Sequence, residues 1–319
     1  MNITRRVIRY FIINIPLLEV FFTYLKQKGI IKTPPLPSPT VEGKFVGVWI
    51  LGGLGNQLFQ YAAAFALAKR MNATLLLNRN FHGYFRQEEL SKIGINDLEW
   101  GVSPPLSSYP QKNKNDSYRI VSEKDFSFDS SVYNLKESCY LFGYWASPLY
   151  FKDCEDELRN KLNFNLFKTP EVISIIEEMD RSSSVSVHLR RGDYNNSEGI
   201  ASFGLLGKDY YDRAANLLLQ INPNCCFYIF SDDVAEASNI FGCWPNKVIM
   251  PIRSACQDML LMSACHHHII ANSTFSWWGA WLGKHKGSIT IAPRHWFSKE
   301  ATIAHKYLLD LFPENWIQL

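Results

Sequence analysis

Between Val185 and Ala292 the chain repeats one pattern, a short run rich in β-branched and aromatic residues followed by a stretch with helical spacing. The runs are Val185–Arg190 (VSVHLR), Cys226–Ser231 (CFYIFS), Lys247–Pro251 (KVIMP), His267–Ala271 (HHIIA) and Ser288–Ala292 (SITIA). The helical stretches are Asp209–Ile221, Val234–Phe241, Ala255–Ala264 and Phe275–Lys284. Such a βαβ series builds a doubly wound parallel sheet covered on both faces, and ligands bind these sheets at the carboxyl ends of the strands. The polar residues that most need explaining fall at those ends. His188–Asp193 closes the first strand, Ser231–Asp233 the second and Asn272–Thr274 the fourth. A ligand shared by the three segments is the economical reading.

The first half is α/β as well. KFVGVWIL from Lys44 reads as a strand, GGLGNQ as a turn, Gln57–Met71 as a helix with Leu58, Tyr61, Phe65 and Ala68 on one face, and Ala73–Leu77 as the next strand. From Asn78 to Tyr133 periodicity is poor, which predicts loops and short elements. Tyr140–Phe151 is aromatic enough to face a ligand, although a structural strand and turn is the plainer reading. Helical spacing around Cys154–Leu162 precedes a boundary near Asn163–Pro170. The expected division is residues 1–43 as an apolar helix and proline-rich linker, 44–165 as a first domain and 166–319 as a second, ligand-binding domain.

In that first segment Arg5, Arg6 and Arg9 precede the apolar run Tyr10–Leu25, which is interrupted by Pro16 and Glu19. A spanning helix wants about 20 apolar residues, so a helix lying in the membrane surface through residues 5–25 fits better. A short type II anchor and a plain terminal helix are the alternatives. The expected location is membrane-associated, facing the cytoplasm in a bacterium or the Golgi lumen in a eukaryote. The formal net charge of +3, with both signs well mixed, excludes nucleic acid as the natural partner. Seven cysteines without a CxxC pair predict reduced, mostly buried thiols. Cys265–His268 (CHHH) is no metal site by its spacing, because consecutive strand residues point to opposite faces.

HLRRGDY sets two guanidiniums, a turn glycine and a carboxylate at a strand end. Arginine grips phosphate oxygens in bidentate fashion, and a pair can stabilise a departing diphosphate without a metal ion. An ion pair of Arg191 with Asp193 at the surface is the bland alternative. In NSTFSWWGAW, Asn272, Ser273 and Thr274 precede an aromatic helix whose first amides make a natural anion site, ordinary capping being the alternative. Trp277, Trp278 and Trp281 are expected to face the core. SDD supplies carboxylates for a base or ribose, or simply a helix cap. LGGLGNQ lacks the third glycine of a dinucleotide fingerprint, since Leu58 stands there, and lacks the lysine of a P-loop. It still allows backbone amides, with Asn56, to approach a polar ligand closely.

Taken in order, GGLGNQLFQYA, HLRRGDY, FYIFSDD and NSTFSWWGAWL resemble the galactoside α-1,2-fucosyltransferase family over Val46–Pro293. The resemblance implies a GT-B-like architecture of two Rossmann-like domains facing a cleft. It also implies GDP-fucose as donor, a galactose-terminated glycan as acceptor, inversion at the sugar carbon and no metal cofactor. Carried over by position, Arg190 is expected on the β-phosphate with Arg191 supporting it and His188 beside them. Asp232 is similar to the acid that meets the nucleoside. Asn272, Ser273, Thr274 and Phe275 match the segment around diphosphate and base, and Gly55 with Asn56 look like the first-domain loop that closes over the donor. Asp193 is the candidate base for the acceptor hydroxyl. Residues 78–133 show no acceptor motif of the family. A glycoside hydrolase using Asp193 with Asp232 or Asp233 is the enzymatic rival, but paired arginines have no natural task there. A non-catalytic sugar or nucleotide binder is the rival from another class, and a fucosyltransferase of another linkage is the near alternative.

Overall fold

The computed structural model describes residues 41–79, 88–99, 118–124, 126–192, 204–298 and 310–319. The apolar run Tyr10–Leu25, the proline-rich segment and Asp193 lie outside the described residues. Among the described residues no helix is long and apolar enough to cross a membrane. The chain divides into two compact units between Leu158 and Arg159.

The first unit is built on β1 (Phe45–Trp49), β2 (Thr74–Asn78), β3 (Leu98–Glu99), β4 (Arg119–Ser122) and β5 (Cys139–Phe142), all parallel in the order β3-β2-β1-β5-β4. Helix α1 (Leu54–Met71) connects β1 to β2 and is buried almost all round, as its run of alanines and large apolar residues demands. It begins three residues before the expected Gln57. Gly53 takes the cap position in extended backbone (φ −79°, ψ 173°), and Gln57 N donates to Gly53 O at 3.1 Å. Gly55 and Asn56 therefore belong to the first helical turn and not to a loop. The aromatic run after Ser138 is structural: β5 is wholly buried, and the Tyr140 hydroxyl accepts from Asn78 Nδ2 at 2.9 Å. A short helix α2 (Ser130–Tyr133) is capped by Asp129, and α3 (Glu155–Lys161) carries the division between the units.

The second unit opens with α4 (Pro170–Asp180), which the periodicity reading left as a boundary. Its signals are local: Thr169 accepts from Val172 N at 3.3 Å as the cap, and Pro170 at the first helical position has the φ a helix needs. Then follow β6 (Ser183–Leu189), α5 (Lys208–Ile221), β7 (Cys225–Ser231), α6 (Val234–Phe241), β8 (Lys247–Ile249), α7 (Ala255–Ala264), β9 (His267–Ile269), α8 (Thr274–Trp281), β10 (Thr290–Ala292) and β11 (Ile317–Gln318). All are parallel in the order β11-β10-β9-β6-β7-β8. Counted from β6, that is the doubly wound order in which the first three strands are laid down toward one edge of the sheet and the next three toward the other. Val185, Val187 and Leu189 of β6 form the centre of the core with Phe227, Ile229, Tyr211 and Phe241. Five of the seven cysteines are buried.

Candidate active site

The strand order of the second unit reverses between β6 and β9, so the carboxyl ends of these neighbours form the crevice that such sheets offer to ligands. β6 ends at Leu189, which places Arg190 just beyond the strand and beside the end of β7. There the Arg190 guanidinium pairs with the carboxylate of Asp232, and Asp232 Oδ1 also accepts from Arg191 N at 2.8 Å. One carboxylate thus fixes both the side chain of Arg190 and the direction of the chain after it. Gly192 completes this turn, and a Cβ there would push aside the Asp232 carboxylate that holds it.

The two arginines part company at this point. The Arg191 side chain is 6% exposed, donates to Arg190 O and Leu206 O at 3.1 Å each, and lies 3.8 Å from Glu236. Its guanidinium braces the loops from inside, which suits the supporting place beside Arg190 expected of it. Asp232 stands at the same turn with its carboxylate engaged by Arg190 and Arg191 N. Asp233 follows its plainer reading, capping α6 by accepting from Glu236 N at 2.9 Å.

On the other side of the reversal, His188 is buried with its ring 5.6 Å from that of Phe275. Burial and the charge of Arg190 hold the His188 imidazole down to about 3, so it is neutral and offers a ring nitrogen as acceptor. Its Nδ1 has no hydrogen-bond partner. The Tyr211 hydroxyl locks the main chain here, donating to His188 O at 3.0 Å. Phe275 stands in the first turn of α8, whose cap residue Ser273 has extended backbone (φ −143°, ψ 125°) but makes no side-chain cap bond. Asn272 is buried and donates to Trp296 O at 3.1 Å. Ser276, a residue the motif reading passed over, ties the strand-to-helix turn by accepting from Ala271 N and donating to Ser273 O, both at 3.2 Å. Thr274 is the first residue of α8. The structure therefore brings His188, Arg190, Asp232, Asn272, Ser273, Thr274 and Phe275 to adjacent strand ends.

A further carboxyl follows the end of β8, an edge strand of this sheet. Asp258, in the first turn of α7 after β8, is pushed up to about 7 by burial, against the opposing pull of Arg253. Its Oδ1 is buried without a hydrogen-bond partner. No sequence motif marks it, because an acid in a helical first turn is ordinary. Its folded value lies above the unfolded 3.8, so its contribution is greatest in acid and is lost as pH rises through about 7. Asp258→Asn should accordingly melt higher than the parent at about pH 8.5, and the gain should vanish near pH 4, as calorimetry at the two values would record.

Gly55 and Asn56 belong to the first unit, where Gly52 adopts φ +81° and a Cβ on it would stand 2.7 Å from Asn56 Nδ2. Two buried glutamines that were assigned no role, Gln57 and Gln60, hold this turn through main-chain hydrogen bonds. The CHHH segment is engaged in the sheet: His266 and His268 each meet a serine hydroxyl of β6 at 2.8 Å, and His267 accepts from Ile289 N at 3.1 Å. Among the described residues no group of three or more His, Cys, Asp or Glu could hold a metal ion.

Comparison with known proteins adds an independent line. The family model described as "Glycosyl transferase family 11" matches residues 23–319. An Escherichia coli alpha-1,2-colitosyltransferase is 33% identical over 295 residues, covering 85% of this chain and 97% of that one. The Escherichia coli O-antigen biosynthesis glycosyltransferase WbnK is 30% identical over 77% of this chain and 93% of its own. The galactoside 2-alpha-L-fucosyltransferase Sec1 of Mus musculus is 22% identical over 80% of this chain and 68% of its own. Among solved structures, fucosyltransferase NodZ from Bradyrhizobium aligns over 75% of this chain and 93% of its own, with 13% identity and a TM-score of 0.43.

Proposed function

Since this chain belongs to glycosyl transferase family 11 and is a glycosyltransferase, we propose that it transfers L-fucose from GDP-fucose to the 2-hydroxyl of a β-galactoside with inversion. The observation that carries the proposal is the Arg190–Asp232 pair at the carboxyl end of β6, next to the strand reversal and the first turn of α8. In this reaction the acceptor O2 bonds to fucose C1 as the bond from C1 to the β-phosphate oxygen breaks, and that electron pair leaves with GDP. Charge therefore grows on the β-phosphate. Arg190 is the residue assigned to it, with the amides at the start of α8 adding their partial positive charge. Asp232 keeps the guanidinium aimed at the rim, and Asp193 is assigned the hydroxyl proton. His188 and Phe275 line the same crevice, one as an acceptor and the other as an apolar face. Because Asp232 is committed to the arginines, Asp258 is the better carboxyl for the base, whose ring N–H and amino groups are donors. Asp258→Asn should then weaken GDP binding while it stabilises the fold at alkaline pH. No metal enters this scheme.

A second reading has support of its own, since a relative with 33% identity is named for transferring colitose. Colitose is fucose without its 3-hydroxyl. A site that hydrogen-bonds that hydroxyl rejects the deoxy sugar by about 10⁴-fold or more, whereas a site that does not will accept both. Incubation with each GDP-sugar and a set of β-galactosides, with linkage read by NMR, decides the matter. An α-1,2-fucosyl product supports the first reading, a product from GDP-colitose alone supports the second, and a different linkage overturns both.

A further inference from the structure

The sheet of the first unit sets β1 beside β5, and two buried amides from α1 tie the ends of these strands together. Gln60 is fully buried; its Oε1 accepts from Leu51 N at 2.9 Å just past β1, and its Nε2 donates to Gly143 O at 3.1 Å just past β5. Gln57, equally buried, donates to Gly52 O at 2.9 Å and accepts from Glu89 N at 2.8 Å. The turn between β1 and α1 is thus bolted to the end of β5 on one side and to residue 89 on the other. Beyond Gly143 the chain is held in the same manner, for the buried carboxylate of Glu123 accepts from Tyr144 N at 2.7 Å and Trp145 N at 2.8 Å.

Burying a primary amide is unfavourable unless its hydrogen bonds are made, and a leucine or methionine would fill the same helix positions without that demand. Two such amides one turn apart, both spent on main-chain atoms of one rim, fix geometry at a site where packing alone would leave slack. Asn56 precedes Gln57, and its side chain lies over Gly52, the residue whose carbonyl Gln57 holds. We propose that Gln57 and Gln60 are positioning residues for glycosyl transfer, which act by holding the Gly52–Asn56 turn in register with the end of β5. The inference rests on the reading that Asn56 serves the donor.

The test measures kcat and KM for Gln60→Met, Gln57→Met and Asn56→Ala, and for Asn56→Ala combined with Gln60→Met, each rate normalised to the number of GDP-binding sites found by calorimetry. Small displacements of a catalytic geometry cost up to about 10²-fold, so kcat per site should fall by about 10-fold or more in either glutamine variant, with KM for the donor little changed. The combined variant should be no slower than Asn56→Ala, since residues that act as a unit are not additive. If Gln60→Met yields no folded protein, Gln57→Met and its combination with Asn56→Ala carry the same expectation. Parental kcat per site in the glutamine variants, or losses that simply multiply in the combined one, overturns the inference. Parental turnover in Asn56→Ala instead removes the donor reading of this turn, which is a separate failure.

Discussion

Replacing Arg190 with lysine lowers the turnover of transfer by about 10²- to 10³-fold and leaves the fold intact, the loss expected when one preorganised donor to developing charge is removed. The size follows from shape more than from charge. Lysine keeps the positive charge but presents a point ammonium, where arginine presents a planar fork with five N–H donors. With the fork, one group can pair with Asp232 and still face a phosphate; the ammonium must choose. The fold survives because Asp232 keeps its bond from Arg191 N at 2.8 Å, and the turn remains braced by Arg191 on Leu206 O. Steady-state kinetics with GDP-fucose, alongside a thermal melt, check both halves. GDP binding should weaken in parallel, because the β-phosphate is present in the product as well. Near-parental turnover would remove Arg190 from the reaction.

Trp277→Ala destabilises the second unit by about 3–5 kcal/mol, the range for emptying a large aromatic site in a core. Trp277 is fully buried in α8, edge-on to Trp278 at 5.2 Å, parallel to Trp281 at 6.2 Å and tilted on Trp316 at 5.4 Å. Its indole N–H donates to Leu311 O at 2.8 Å, so the alanine variant also strands a buried carbonyl. Trp277→Phe keeps most of the packing and loses that bond, which should cost about 1–3 kcal/mol. Urea titration followed by tryptophan fluorescence ranks the three proteins. If these tryptophans faced a ligand instead, the alanine variant would lose binding with its midpoint unchanged.

Elements of the second unit were legible because they are periodic. β-branched and aromatic runs separated by amphipathic helices fix strand direction, so the rim on which Arg190, Asp232 and Ser273 meet could be read from the sequence. The motifs told less about side-chain partners, since these are not local. Arg191 looks interchangeable with Arg190 in HLRRGDY, yet its guanidinium turns inward to Leu206, fifteen residues on, and the carboxylate that orders both lies 41 residues from Arg191. Asp258 carried no signal, and the paired glutamines stand in GGLGNQLFQYA without a role of their own, because what distinguishes all three is burial, which a single sequence does not display. Glycine misled at the start of α1. Read as a loop former, Gly53 is in fact a helix cap, and that shifts Gly55 and Asn56 into the helix. The helix at Pro170 has its threonine cap and first-turn proline in the sequence, but they fall where the loss of periodicity predicts a boundary near Asn163–Pro170.

The measurement that bears most directly on the account is a crystal structure of the chain with GDP. The β-phosphate should lie within hydrogen-bond reach of the Arg190 guanidinium and the first amides of α8, with the base beside Asp258. A diphosphate seated away from the carboxyl ends of β6 and β9, with Arg190 making no contact to it, would contradict the assignment of the donor to this rim.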